Sequence, residues 1–557
     1  MNSLPQELID RISSYLDCND LKNTLVLSHF FKYAAEEYSG GFSRYVLTEA
    51  NADKFLDTFS GRRFRYLRTV EFATSVPALK SDGKEEESSR DTPEELNAID
   101  IEFTRQIEFL LSTLKTLETN LDEVYRPGKL HLLIYTPTRT IDIEHFCIQR
   151  SYVSWRVHLL SPEKLPTLSL VRCLTIELAD TSYYYDYPTP SLRKIDLRIL
   201  VDLAHKLPNL EDLRCNIGGD EWFSGQEAFT DDMVEDMQVG DVFVANYIRH
   251  DWEGPRRDAR HDFAKVIQEI TLPSVCHAQL DFISPMHESD WIDQRLAMPN
   301  LVKPATYDPF STSLRIFSYQ LRTMQLRVVA DETLFWPADG STPYWPNLEC
   351  ISIMFHMVTP AGTWYFKGLP GVGAVEGYDI TEECYPPFET TDEDDSADGD
   401  MFYYNWATHR VLALFRVEPN NNTIVSFLTA FAKAAALMPS LKKAALWCPL
   451  IFHPELEQYD GYDKEQVSKH ADGELAWGLG YAKPDTIAFS EKDSAHMRQL
   501  WWKVGKWRPD PELHSIFQNV GRREHGEELA EYWTDEWSGD GLVERDTFEI
   551  FEDYMFK

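Results

Sequence analysis

One phrase returns along this chain and limits what it can fold into. A proline turn is followed two residues later by Leu or Val, and then by alternating apolar positions. It reads LPTLSLVRCLTIEL from Leu165, LPNLEDLRC from Leu207, LPSVCHAQLDF from Leu272, WPNLECISIMF from Trp345 and MPSLKKAALW from Met438. Versions without proline are FRYLRTVEF from Phe64, SLRKIDL from Ser191 and SLRIFSYQL from Ser313. Proline presets the turn, the residue two places on plugs a core, and the alternation predicts a half-buried strand. Helix-like runs lead into two copies: Leu197 to Lys206 before LPNL, and Thr423 to Leu437 before MPSL. Helix, turn and strand in repetition predict an α/β chain in which each unit packs on its neighbour.

That logic is the logic of a leucine-rich-repeat-like solenoid. The spacing is irregular. The plug positions are Leu168, Leu192, Leu210, Val275, Leu314, Leu348 and Leu441, so long insertions or unrecognisable repeats separate them. The competing expectation is an irregular α/β domain without a horseshoe. Two acidic runs, near 82–97 (KEEESSRDTPEE from Lys84) and 390–400 (TTDEDDSADGD), are expected to be solvated loops.

The first forty residues are organised differently. In LPQELIDRISSYLD, residues Leu8, Ile9, Ile12, Tyr15 and Leu16 share one helical face. Ser3 is a candidate cap with Gln6 three residues on, and Pro5 suits the first turn. Asn19 or Asp20 is expected to cap a second short helix, and Ser28 a third that ends at Ser39-Gly40-Gly41. A unit of this size, with one cysteine and no metal-ligand cluster, has to bury its apolar face against the rest of the chain or against another protein.

The stretch SLPQELIDRISSYLDCNDLKNTLVLSHFFKYAAEEY resembles an F-box. Leu4-Pro5, Glu7-Leu8-Ile9, Ile12, Tyr15-Leu16-Asp17, Asp20-Leu21 and Val26 through Phe30 occupy the places of that family's pattern. His29 stands where Arg is common, and the tryptophan frequent in the third helix is absent. The resemblance implies binding to the Skp adaptor of a cullin–RING ubiquitin ligase, with Leu4, Pro5, Leu8, Ile9, Ile12, Leu16, Leu21, Val26 and Phe30 as the adaptor-facing or motif-packing set. The rest of the chain would recruit a protein substrate. LRVVADETLFWP from Leu326, the segment from Trp345 to Phe366, and WKVGKWRP from Trp502 are similar to filamentous-fungal F-box proteins with divergent repeats. The expected organisation is an F-box at 1–40, a degenerate repeat domain for substrate recognition at 41–450, and a C-terminal capping region at 451–557. The expected activity is that of a non-catalytic substrate receptor. The alternative is an F-box-bearing scaffold acting outside ubiquitylation.

Charge and composition restrict the other classes. The formal net charge is −37, which repels phosphate backbones and anionic lipid, so neither nucleic acid nor membrane is an expected partner. No apolar run reaches the length of a membrane span, and MNSLPQELID predicts no secretory leader. The expected location is intracellular, in the cytoplasm and/or nucleus. The eight cysteines lie far apart with no C-x-x-C pair, so reduced thiols acting as small apolar residues are expected, with no metal and no cofactor. No P-loop, H-E-x-x-H or G-x-S-x-G occurs. GLPGVGAVEG from Gly368 misses G-x-G-x-x-G and reads as a loop. His453-Pro-Glu455 lacks the P-C-x-x-C that would make it a deaminase motif. The basic cluster GPRRDAR from Gly254 reads as a solvated loop. The tyrosine clusters at 181–190 and 401–409 are candidate contact surfaces, and the C-terminal tryptophans are candidate core.

Overall fold

The proline turns introduce strands in a constant geometry. In the computed structural model Leu210, Val275, Leu348 and Leu441 are buried, each lying two residues after its proline and two before a strand. Three of these turns close by a backbone bond of the plug amide to the carbonyl three residues back: Leu210 to Leu207 at 2.9 Å, Val275 to Leu272 at 3.1 Å and Leu441 to Met438 at 3.2 Å. The structure describes residues 4–77, 90–121, 130–139, 155–179, 193–218, 221–222, 252–283, 286, 289, 292–368, 370–391, 414–452, 474–486 and 496–533.

The strands are β1 (Arg44–Val46), β2 (Thr69–Ser75), β3 (Leu130–Thr138), β4 (Val171–Glu177), β5 (Asp212–Asn216), β6 (His277–Asp281), β7 (Pro299–Asn300), β8 (Thr323–Val328), β9 (Cys350–Phe355), β10 (Phe366–Lys367), β11 (Tyr378–Asp379), β12 (Glu418–Pro419), β13 (Lys443–Ile451), β14 (Glu474–Ala482), β15 (Arg498–Lys503) and β16 (Leu529–Trp533). Twelve of them form one sheet in chain order, and the short β7, β10, β11 and β12 pair off in the connections. Neighbours from β1 through β13 are parallel. β14 is antiparallel to both β13 and β15, and β16 is parallel to β15. The protein is therefore mixed α/β around a large, mostly parallel sheet. Because each crossover adds a strand on the same side of the last one, a constant hand of connection puts the helices on one face.

The helices α1 (Gln6–Ser13), α2 (Cys18–Thr24) and α3 (His29–Tyr38) precede the sheet. Against it lie α4 (Ala52–Phe59), α5 (Pro93–Asn120), α6 (Arg198–His205), α7 (Glu253–Glu269), α8 (Pro309–Ser318), α9 (Asn421–Ala435) and α10 (Pro511–Gln518), and the single turn α11 (Arg522–His525), with no buried residue, leads into β16. The long α5 starts at a capping box between Thr92 and Glu95 with Pro93 in the first turn. Its buried Ile99, Phe103, Ile107, Leu110, Leu114 and Leu117 hold a helical spacing. Alternate residues of the strands, such as Val70, Leu132, Leu174, Leu213, Leu280, Leu326, Ile353 and Leu446, meet these helices in one continuous core. The opposite strand faces carry polar side chains through the middle of the sheet.

Several expectations need correction. SLRIFSYQL is not a strand: Pro309–Ser318 is helix, because Asp308 caps it, and the plug of this unit is Leu321 before β8. In SLRKIDL, Ser191 and Leu192 lie outside the described residues, and Ile195 makes only an isolated bridge with Val157. The first acidic run is not a solvated loop over its described part. Arg90 and Asp91 are fully buried, with Asp91 paired to Arg139 at 3.1 Å and Arg193 at 2.6 Å, and helix α5 follows directly. GPRRDAR forms the opening turns of α7, with Arg256 and Arg260 buried. In the second acidic run only Thr390 and Thr391 are described. The sheet continues past residue 450 to Trp533, so the segments on either side of that position share it. Trp502 stacks on Trp533 at 4.8 Å inside the main core, while Trp501 stacks on Tyr532 on the other face. Among the described residues no helix is long and apolar enough to cross a membrane. Cys215 and Cys448 are buried as small apolar residues, Cys18 is exposed, and Cys147 lies outside the described residues.

Candidate functional site

The first site is built by the three N-terminal helices. Pro5 stands at the cap of α1, its carbonyl accepting from the amides of Leu8 at 3.1 Å and Ile9 at 3.3 Å. Ser3 lies outside the described residues. Asp17, not Asn19 or Asp20, caps α2: it is extended, and its carboxylate accepts from both of those amides. Ser28 caps α3 through the Phe31 amide, and α3 ends before Gly40, whose φ of 69° closes the turn.

The nine residues singled out from the sequence divide by environment. Ile9 and Leu21 are buried, and Ile9 forms a small core with Phe31 and Ala34, separate from that of the sheet. Leu16 is half-buried and Pro5 exposed. Leu4, Leu8, Ile12, Val26 and Phe30 are exposed, with Leu8 at 48 %, Ile12 at 43 % and Val26 at 88 %. Leu8 and Ile12 are four residues apart and line one stripe of α1, and Leu4 precedes the cap of that helix. Tyr15, Leu25 and Leu27 are also exposed. They are absent from the predicted set, although the sequence puts Tyr15 on the same stripe as Ile12; in the structure Tyr15 lies in the turn just past the end of α1. Nine of the 19 large apolar side chains exposed among the described residues fall between Leu4 and Tyr38.

These helices meet the sheet domain through polar groups. The carboxylate of Glu36 in α3 is buried between Arg62 and Arg63, and Tyr66 donates to the Tyr33 carbonyl at 3.2 Å. Burial alone would push the Glu36 carboxyl up. Hydrogen bonds from Arg63 and Arg62 outweigh it and hold the group below the usual carboxylate range.

A second candidate surface is the sheet face turned away from the helices. Its register aligns His131, Cys173, Asp212, His277, Thr323 and Cys350 on successive strands, all half-buried. His131 bonds Thr175 at 2.7 Å and His277 bonds Thr323 at 2.8 Å, so both imidazoles are engaged across neighbouring strands. Burial pushes the Cys173 thiol up to about 11, which leaves it protonated at neutral pH. Further along, burial raises the Asp281 carboxyl to about 6 against the opposing charge of Arg327, 3.1 Å away. Toward β13 this face turns apolar, with Met354, Trp447 and Trp222 packed together.

The remaining motifs are structural where they are described. Arg260 is paired with Asp308 at 2.9 Å and sits over the Phe310 ring. The glycine-rich segment after Lys367 is irregular, with positive φ at Gly371 and Gly373. Among the described residues no group of three or more His, Cys, Asp or Glu side chains is placed to hold a metal ion. His453, Glu455 and both tyrosine clusters lie outside the described residues. No protein-family model matches this chain, and no curated protein matches it.

Proposed function

We propose that this chain is an F-box-type substrate receptor of a Skp–cullin–RING ubiquitin ligase. The three N-terminal helices would hold the Skp adaptor, and the α/β body, read as an irregular leucine-rich-repeat-like solenoid, would hold a protein target. The observation that supports the reading is the crowding of exposed apolar side chains onto α1, α3 and the segments that flank and connect the three helices. Exposed apolar surface gathered in one region marks a site of interaction. The adaptor is the occupant favoured by the order of Leu4-Pro5, Leu8-Ile9, Asp20-Leu21 and Val26 through Phe30. On this reading Leu4, Pro5, Leu8, Ile12, Val26 and Phe30 face the adaptor, Ile9 and Leu21 hold the motif together, and Leu16 lies between. The sequential parallel strands, each paired only with its neighbours, support the solenoid, and its polar face is the place for a target. The chain would supply no bond-making chemistry. It would raise the effective concentration of a target lysine near a charged conjugating enzyme.

The test is co-purification of the full chain with a Skp adaptor, wild type beside Leu8→Asp with Ile12→Asp. A stoichiometric complex with the wild type, lost in the double variant while the sheet domain keeps its unfolding transition, is expected. Well-folded wild type that captures no adaptor overturns the reading.

A further inference from the structure

The contact between α3 and the sheet domain gathers four arginines within seven residues. Arg62, Arg63, Arg65 and Arg68 fall in the sequence GRRFRYLR, in a chain whose net charge is −37. Three of them turn toward α3. Arg62 and Arg63 converge on the two oxygens of Glu36, whose side chain is only 4 % exposed, and Arg65 reaches the exposed Glu37 at 3.3 Å. Arg62 also lies 3.5 Å over the Tyr33 ring, and Arg63 lies 4.7 Å over Phe42, which itself packs on the core of the sheet domain. Tyr66 completes the lattice. Its hydroxyl accepts from Arg62 at 3.2 Å and from Arg65 at 2.9 Å, and donates to the Tyr33 carbonyl. The covalent link across this contact is Ser39-Gly40-Gly41, which has little intrinsic stiffness. The two apolar cores on either side are separate.

We infer that Glu36 is the positioning residue that sets the direction of the N-terminal helices relative to the sheet. Its carboxylate is the buried acceptor of α3 on which two cations of the sheet domain converge, and the glycine link is closed only by local bonds, from Ser43 to the Gly40 carbonyl and from the Gly41 amide to the Ser39 hydroxyl. Removing the charge leaves two arginines facing a neutral group at a half-buried contact, where an orphaned charge is unfavourable. The two bodies then separate at the contact while each keeps its own core. The inference stands on contact geometry alone. Its consequence for a ligase rests on the reading above: a receptor with a loose junction would bind adaptor and target normally but present the target poorly.

The experiment is a distance measurement by double electron–electron resonance on the full chain. Spin labels on ketone-bearing side chains go at the exposed positions of Lys22 in α2 and Lys54 in α4. The wild type is expected to give one narrow distance. Glu36→Gln is expected to broaden it at least twofold, with the unfolding midpoint of the sheet domain shifted by no more than about 2 °C. The variant Glu36→Gln with Arg62→Gln and Arg63→Gln removes the orphaned charges. It is expected to be equally broad, even if the single variant folds poorly. A distribution as narrow as wild type in the triple variant overturns the inference. Adaptor capture is measured separately on Glu36→Gln and is expected to be unchanged, so loss of the adaptor reading and loss of the clamp are told apart.

Discussion

His356, just after β9, is buried against Trp222, with ring centroids 4.2 Å apart, and its Nδ1 accepts from the Val358 amide at 3.0 Å. Burial, with the nearby charge of Arg256, lowers its pKa to about 3. The unfolded chain therefore binds a proton below about 6.5 that the folded chain refuses until about 3. Stability is fully present above that window and is lost as pH falls through it, at up to about 1.4 kcal/mol per pH unit for one proton. His356→Asn keeps an acceptor for Val358 and removes the titration. Urea midpoints between pH 7 and 4 should fall less steeply in the variant, and an unchanged slope would remove His356 as a cause. A second contrast concerns adjacent residues. Ile9→Ala should cost about 2–4 kcal/mol in the N-terminal helices, seen as faster amide exchange in α1–α3, whereas Leu8→Ala should stay within about 0.5 kcal/mol. The sequence showed that both residues share a helical stripe. It did not separate them, because that depends on where Phe31 and Ala34 sit, some two dozen residues later.

At the scale of elements, the plug two residues after proline was legible because turn chemistry and burial act within a few residues. SLRIFSYQL alternates as well as a strand does, and the feature that makes its first part helix α8 is the Asp308 cap before Pro309. Strand β3 carries no introducing phrase and was not singled out. The basic opening of α7 looked like a loop because four charged residues in seven suggest solvent. Its partner Asp308 stands 48 residues away, and no local pattern shows that Arg260 will be buried against it. This pair makes a prediction. Arg260→Met strands the Asp308 carboxylate in the core and should cost about 3–5 kcal/mol. Adding Asp308→Asn, which removes the stranded charge and keeps one oxygen for the closer Ser311 amide while giving up the longer bond from Phe310, should recover part of that loss. Chemical denaturation of the two variants decides it. A double variant no more stable than the single one would mean that the bond from Arg260 to the Val329 carbonyl matters more than the charge pair.

For the whole molecule, the order of strands in the sheet has an energetic consequence. Within the twelve-stranded sheet each inner strand pairs only with the strands on either side of it, so among the described residues no strand pairing ties the first units to the last. Stability then resembles a chain of neighbour terms, and a defect at one end should spread only a limited distance. Phe55 in α4 is a suitable place for a defect, being buried and in tilted ring contact with Tyr45 at 5.1 Å and Phe59 at 5.3 Å near the first strand. Phe55→Ala should cost about 3–5 kcal/mol locally. Hydrogen exchange in β1, β2 and the neighbouring part of β3 should accelerate by one or more orders of magnitude. Amides of β13, β14 and β15 should keep wild-type rates, because they are held by their own antiparallel pairing and by the stacked Trp502 and Trp533. Uniform acceleration from β2 to β15 would mean that the continuous apolar core along the helical face couples the ends more strongly than strand pairing separates them. The chain would then unfold as one unit.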